Sequence, residues 1–201
     1  MDIAKTIENL KRNEFEVSYF ESAIEAASYL DSKIVGKTVG FGDSETLAYM
    51  GMAELLKRHN TVYDVGGIKD DEEFIEIAKR AMNTDVFMLS VNGISETGVM
   101  VNIDGTGNRV AGSLFGHDAV YFVAGVNKIC PTIEEAIDRA RNIAAPLDTV
   151  RFGYKTPCVV KGKCYDCHSP HRICNALTIY MQKMNNVDHV EVVLINEELG
   201  F

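Results

Sequence analysis

The stretch Lys37-Thr38-Val39-Gly40-Phe41-Gly42-Asp43-Ser44-Glu45-Thr46 decides how the rest of the chain is read. Lys37 to Phe41 has the composition of a short strand. Gly40 and Gly42 end it, and Ser44 opens a helix that runs to about Arg58 with a kink at Gly51. A strand that turns through glycines into a helix is the opening unit of a parallel α/β sheet. The free N–H groups at such a helix start suit a phosphate, a carboxylate or a similar anion. The same residues also fit a plain tight turn capped by Asp43 or Ser44. The third glycine of a dinucleotide fingerprint is missing, so a nicotinamide site is not indicated.

Working outward, the alternation repeats. Ile3 to Asn13 has helical spacing, Phe15 to Tyr19 alternates as a strand, and Ser22 to Leu30 is an Ala- and Glu-rich helix. Thr61 to Val65 reads as a strand, Asp70 to Met82 as a helix with acids in its first turn, and Asp85 to Val91 as a buried strand. Gly98 to Ile103 and Asn108 to Ala111, joined by Asp104-Gly105-Thr106-Gly107, read as a hairpin. Ala119 to Val126 is another buried strand. Thr132 and Glu135 form a capping box for a helix expected to stop before Pro146. Arg172 to Met184 is expected to be a helix and His189 to Ile195 the last strand. Repeated strand–helix units predict an α/β fold: a doubly wound, mostly parallel sheet with a hairpin and a cysteine-rich C-terminal lobe. We read residues 1–201 as a single domain, with 151–175 as a metal-binding segment.

Composition sets the outer limits. The chain has 201 residues, 20 Lys and Arg against 29 Asp and Glu, five cysteines and 46% apolar residues. That is enough to build a core without staples. A net charge of −9 argues against nucleic acid as a partner. No run is long enough for a membrane span, and the polar start carries no signal-peptide pattern, so a cytoplasmic location is expected.

The charge is uneven. Between Arg151 and Asn175 there are five basic residues (Arg151, Lys155, Lys161, Lys163, Arg172) against one acid, Asp166. The window is +4 and the remainder −13. Four of the five cysteines fall in it, spaced Cys158-x5-Cys164-x2-Cys167-x6-Cys174. This spacing is a metal-site signature. Four thiolates suit an iron–sulfur cluster, with the 4Fe–4S form favoured, or a structural zinc. Only one Cys-x2-Cys pair is present, which leans away from a zinc ribbon. The bland alternative makes Cys158 and Cys174 small buried residues and Cys164 with Cys167 a redox dithiol. Cys130 stands apart and is expected to be a buried thiol. His168 and His171 read as solvated or supporting residues rather than ligands.

Polar residues gather where strands end. Asn92 follows a buried strand. Asn102, Asp104, Asn108 and Arg109 crowd the expected hairpin, and Lys128 follows the next buried strand. Ligands collect at the carboxyl ends of strands in open α/β sheets. Arg109 has the chemistry to hold a carboxylate or phosphate in two-pronged fashion. Gly40, Gly42, Ser44, Thr46, Asn92, Asp104, Asn108, Arg109 and Lys128 are therefore the expected lining of a pocket for a small anionic metabolite. No catalytic set is legible.

The stretches VGFGDSETL, LSVNGISETGVMVNIDGTGNRVAGSLFG, VAGVNKIC, RARNIAAPLDTVRF, PC…GKCYDCHSPHRICN and VLINEELGF together resemble the lactate-utilisation (LUD) domain family. They are most similar to its stand-alone members with a cysteine-rich tail. The resemblance covers nearly all of Val39 to Phe201. It implies a fold of the NagB/RpiA/CoA-transferase type. It also implies a place in a lactate-oxidising system with iron–sulfur partners, and hence a redox protein as partner. In the wider superfamily the loop matching Gly40, Gly42, Ser44 and Thr46 binds phosphate or CoA groups. A zinc-stabilised isomerase or transferase, or a non-catalytic subunit, are the alternative functions.

Overall fold

The computed structural model describes residues 1–201. The first half runs α1 (Ile3–Arg12), β1 (Glu16–Phe20), α2 (Ala23–Lys33), β2 (Thr38–Phe41), α3 (Glu45–Tyr49), α4 (Met52–Leu56), β3 (Thr61–Asp64), α5 (Asp71–Ala81) and β4 (Val86–Leu89). The second half runs β5 (Gly93–Ser95), β6 (Met100–Asp104), α6 (Asn108–Leu114), β7 (Ala119–Gly125), β8 (Ile129–Cys130), α7 (Ile133–Arg139), α8 (Ala145–Arg151), α9 (Pro157–Lys161), β9 (Ala176–Tyr180) and β10 (His189–Ile195). The helix starts follow their side chains. Ser22 closes a capping box with Glu25, and Ser44, Asp70 and Thr132 each accept a backbone N–H from three residues on.

Six strands form one fully parallel sheet in the order β1-β10-β7-β4-β2-β3. Its central strands are buried on both sides, which is why Val86 to Leu89 and Val120 to Gly125 read as unbroken apolar runs. One face packs a core around Phe87, Leu89, Phe122 and Leu194, the other a core around Phe41, Met88, Val123 and Ile195. The chain lays β3 outside β2, then returns to lay β4 on the other side of β2. The sheet order therefore reverses between β2 and β4. A crevice opens at such a reversal, at the carboxyl ends of the strands.

A second sheet, β8-β5-β6-β9, stands beyond those ends. Three expectations are corrected here. The hairpin is β5 with β6, and Asn108 to Leu114 is a helix rather than its second arm. Asp104 causes this: its carboxylate accepts the N–H groups of Thr106, Gly107 and Val110, turning the chain into α6. The expected helix from Arg172 to Met184 is instead β9, paired antiparallel to β6 from Met100↔Tyr180 to Asp104↔Ala176. Pro146 does not stop its helix. Its missing N–H is accommodated by a π turn over Ala140–Ala144, and α8 continues to Arg151. No helix is long and apolar enough to cross a membrane.

Candidate functional site

The loops after β2, β4 and β7 and the turn after β6 meet at the reversal point. There they border a cleft of about 560 Å³. Asn92, Asp104, Asn108 and Arg109 line it together with Asp43, Lys69, Asp148, Arg151, Phe152 and Tyr154. A side pocket of about 30 Å³ opens beside it, lined by Ser44, Thr46, Ser90, Asn92, Arg109 and Lys128. The fold thus brings together seven of the nine expected pocket residues. Gly40 and Gly42 line neither space. A Cβ on Gly40 would lie 2.6 Å from the Ala81 carbonyl oxygen, so that glycine lets β2 approach α5. A Cβ on Gly42 would lie 2.7 Å from Arg109 Cγ, so its missing side chain is the space through which the arginine stem passes.

Each polar group has a traceable job. Asp104 is buried and occupied with three backbone N–H groups, which makes it the anchor of the turn rather than a free ligand. Asn92 accepts the Ile103 N–H through Oδ1 at 2.8 Å, and no protein acceptor takes its Nδ2. Ser44 caps α3. The Arg109 guanidinium donates to the Ile103 carbonyl oxygen and forms no salt bridge. Arg151 is its opposite. It binds Glu45 at 2.9 Å and Asp148 at 2.8 Å, and its Nη2 sits 2.5 Å from Asp43. Burial pushes the Asp148 carboxyl up, with Arg151 and Arg109 pulling it down. The acids of the 43–45 loop, which would repel an anion, are thus paired with Arg151, whose single charge offsets part of theirs.

Lys128 is 2% exposed. Its Nζ donates to Ser90 Oγ at 2.8 Å and Thr46 Oγ1 at 3.1 Å, and it has no carboxylate partner. Burial, with the Arg139 and Arg109 cations nearby, lowers it to about 7. Arg139 is itself buried. It donates to the Asn127 carbonyl at 3.1 Å and the Asn92 carbonyl at 2.6 Å, tying the loops after β7 and β4 together. Leu199 to Phe201 close the side pocket: Thr46 Oγ1 donates to the Leu199 carbonyl, and Phe201 lines the space.

Cys158, Cys164, Cys167 and Cys174 line one recess with Arg141 and Arg172. All four are half-buried free thiols, Cys174 also packs against the small core that holds Cys130, and Cys130 is buried outside the recess. Arg172 stitches the loop by donating to the Cys167 and Cys174 carbonyls and to Asp166. Asn142 accepts the Cys164 N–H at 2.8 Å, and Arg141 reaches Cys164 Sγ at 3.6 Å, both from the π turn. The lobe rests on the Asp104 turn through Asn175, which donates to the Asp104 and Gly105 carbonyls. No three sulfurs lie within 4.8 Å of one another. His168 and His171 are exposed, and His171 stacks beside Tyr154. The donor set and its cationic surroundings fit a thiolate-held group.

Asp148, Ser90 and Arg139 were not singled out by the sequence reading; Asp43 entered it as a helix cap and Arg151 only as one of the basic residues around the cysteines. A local signal exists only for Arg151 with Asp148, an i,i+3 pair.

A parallel α/β sheet with its cleft at the strand reversal, overlooked by a cysteine lobe, defines the class of protein. The chain belongs to the LUD domain family, whose model matches residues 3–195. The solved structure of a DUF162 family protein from Deinococcus radiodurans is 13% identical. It covers 97% of this chain and 99% of its own, with a TM-score of 0.54, and so shares the fold. No curated protein sequence matches.

Proposed function

We propose that this LUD-domain protein is a redox-associated protein of the lactate-utilisation type. In this reading it holds an iron–sulfur cluster on Cys158, Cys164, Cys167 and Cys174 beside a cleft for a small anionic metabolite such as a 2-hydroxy or 2-oxo acid. One observation carries the reading: Ala145 and Ile173 line both the cleft and the cysteine recess, so a single layer of side chains separates them. A tetrahedral zinc at 2.3 Å from each sulfur needs thiolates about 3.8 Å apart. The single Cys-x2-Cys pair and the cationic surroundings of the thiols favour 4Fe–4S before zinc. Such a group, when bound, supplies one-electron transfer.

The protein's own residues supply the rest. Arg109 and the free Asn92 Nδ2 bind the acid. Lys128 holds or releases a proton at its Nζ. Phe152 and Tyr154 cover the cleft mouth. Exposed Tyr165, Val160 and Lys163 beside the cysteines offer a face for a redox protein partner.

The test is anaerobic purification with iron, sulfide and zinc analysis, repeated on Cys164→Ser. About four irons per chain, largely lost in the variant, is the expected result. One zinc per chain without visible absorbance refutes the redox reading and favours the zinc-stabilised enzyme.

A further inference from the structure

Lys128 is the one cation of the site that is both fully buried and without an acid. Its two protein contacts are hydroxyl oxygens, Ser90 Oγ and Thr46 Oγ1. Two donated N–H bonds leave the third position of the nitrogen free for the side pocket that Lys128 lines. Arg109 lines the same pocket without an ion pair, and Asn92 stands between the side pocket and the cleft. A neutral amine beside an anion-holding arginine matches a molecule that carries a carbonyl next to a carboxylate.

We infer that Lys128 is a nucleophilic amine that captures the carbonyl of a small 2-oxo acid as an imine, with Arg109 holding the carboxylate. This inference rests on the proposed anion-binding cleft and names its chemistry. In the first step the Nζ lone pair forms a bond to the carbonyl carbon. The C=O π pair moves to oxygen, which takes up a proton as nitrogen loses one. In the second step the carbinolamine expels water and the C=N bond forms, so amine and carbonyl give imine and water with no oxidant or reductant. Ser90 and Thr46 hold the nitrogen in place and lie on the proton path. Arg139 and Arg109 are the cations facing it. Asp43, Glu45 and Asp148 line the same pocket but are bound by Arg151. Gly200 lies over the amine: a Cβ there would approach Lys128 Nζ to 3.5 Å and Thr46 Oγ1 to 2.7 Å. The 199–201 segment therefore limits what reaches the nitrogen to small molecules.

The whole protein, with its metal content intact, is incubated with glyoxylate and cyanoborohydride at pH 7, and its lysines are mapped by peptide mass. Carboxymethylation at Lys128 is the expected result. An ordinary lysine titrates near 10.4, so the neutral fraction of Lys128 at pH 7 is roughly a thousandfold larger. After slower access, an advantage of about tenfold or more over the half-exposed Lys57 should remain. Oxalate should compete, acetaldehyde should lose the preference, and the labelling rate at Lys128 should reach half its maximum near pH 7. Lys128→Met should lose the label while Lys57 is labelled as before and the metal content is unchanged. If that variant fails to fold, the pH profile of the unmodified protein decides alone. Labelling of Lys128 no faster than of Lys57 overturns the inference. Calorimetry with oxalate separates the two readings: binding without labelling removes the imine and leaves the anion site, whereas no binding removes both.

Discussion

Gly42→Ala tests whether the cleft is organised around Arg109. The new Cβ would stand 2.7 Å from Arg109 Cγ and 3.4 Å from both Arg109 Cβ and Phe87 Cζ. The phenylalanine contact is tolerable, but the Cγ contact is not, and Cγ lies near the root of the side chain rather than at its free end. Relief takes a rotation of about 30° about χ1, at a cost of about 1 kcal/mol, or a shift of α6. Either change carries the guanidinium away from the Ile103 carbonyl and from the position where it faces Asn92. Losing a charge-assisted bond to the ligand costs about 1.5–3 kcal/mol, which is about 10- to 100-fold in affinity. Calorimetric titration with oxalate reads that loss, and metal analysis of the same sample reads the cysteine lobe. Affinity should fall while metal content stays unchanged. An affinity within a factor of about two of the unmodified protein, at unchanged stability, would mean that Gly42 does not set the arginine's position. Loss of metal as well would mean that the cleft and the lobe fold as one unit.

Other perturbations probe the frame. Glu191 is 1% exposed and accepts bonds from Ser18, Tyr29, Lys33 and His189 at the amino ends of β1 and β10. Burial alone would raise it, but these donors hold it at about 2 against an ordinary 4.5. Its contribution of about 3 kcal/mol is present above about pH 4.5 and lost as pH falls toward 2. Urea unfolding of Glu191→Gln should therefore show a deficit at pH 7 that closes near pH 2, and a constant deficit would refute the account. His189 is raised mainly by its bond to Glu191, so its share is full below about 6.5 and fades as pH rises through its higher folded value. Stability should accordingly decline as pH rises above about 6.5, and His189→Gln should flatten that limb of the profile. Arg151→Gln leaves Asp43, Glu45 and Asp148 without their cation. It should cost about 2 kcal/mol at pH 7, less in acid as Asp148, raised by burial, protonates, and weaken oxalate binding; an equal loss at pH 7 and in acid would argue against it. Gly112→Ala places a Cβ 2.5 Å from the Phe87 ring and should lower stability by about 1–3 kcal/mol. Thermal unfolding reads this directly.

The parallel sheet was legible because its strands are buried on both faces and its helices carry their caps in the sequence. Asn92 and Lys128 were legible as lining residues because each follows a strand whose end could be read, whereas Arg109 was placed in a hairpin arm that is a helix. What the sequence hid was long-range. Arg151 lies 108 residues from Asp43, and its one local partner, Asp148, gives no hint of the two distant acids. The Asp104 turn has the residues of a hairpin, and only the carboxylate's grip on Val110 shows it entering a helix. Ala176 to Tyr180 becomes a strand because β6 offers it an open edge. The proline in α8 is tolerated because the preceding turn widens, which propensity alone does not foresee.

The basic window also divides once its residues have places. Arg151 pairs with three carboxylates in the cleft and offsets part of their charge. Arg172 spends its donors on the carbonyls that shape the cysteine loop. Lys155, Lys161 and Lys163 remain exposed, and Arg141, from outside the window, reaches the Cys164 sulfur. The same π turn that presents Arg141 and Asn142 to the lobe places Ala144 in the cleft wall, one residue before the shared Ala145. The widened turn thus borders both sites, and Ala145 with Ile173 forms the wall between them.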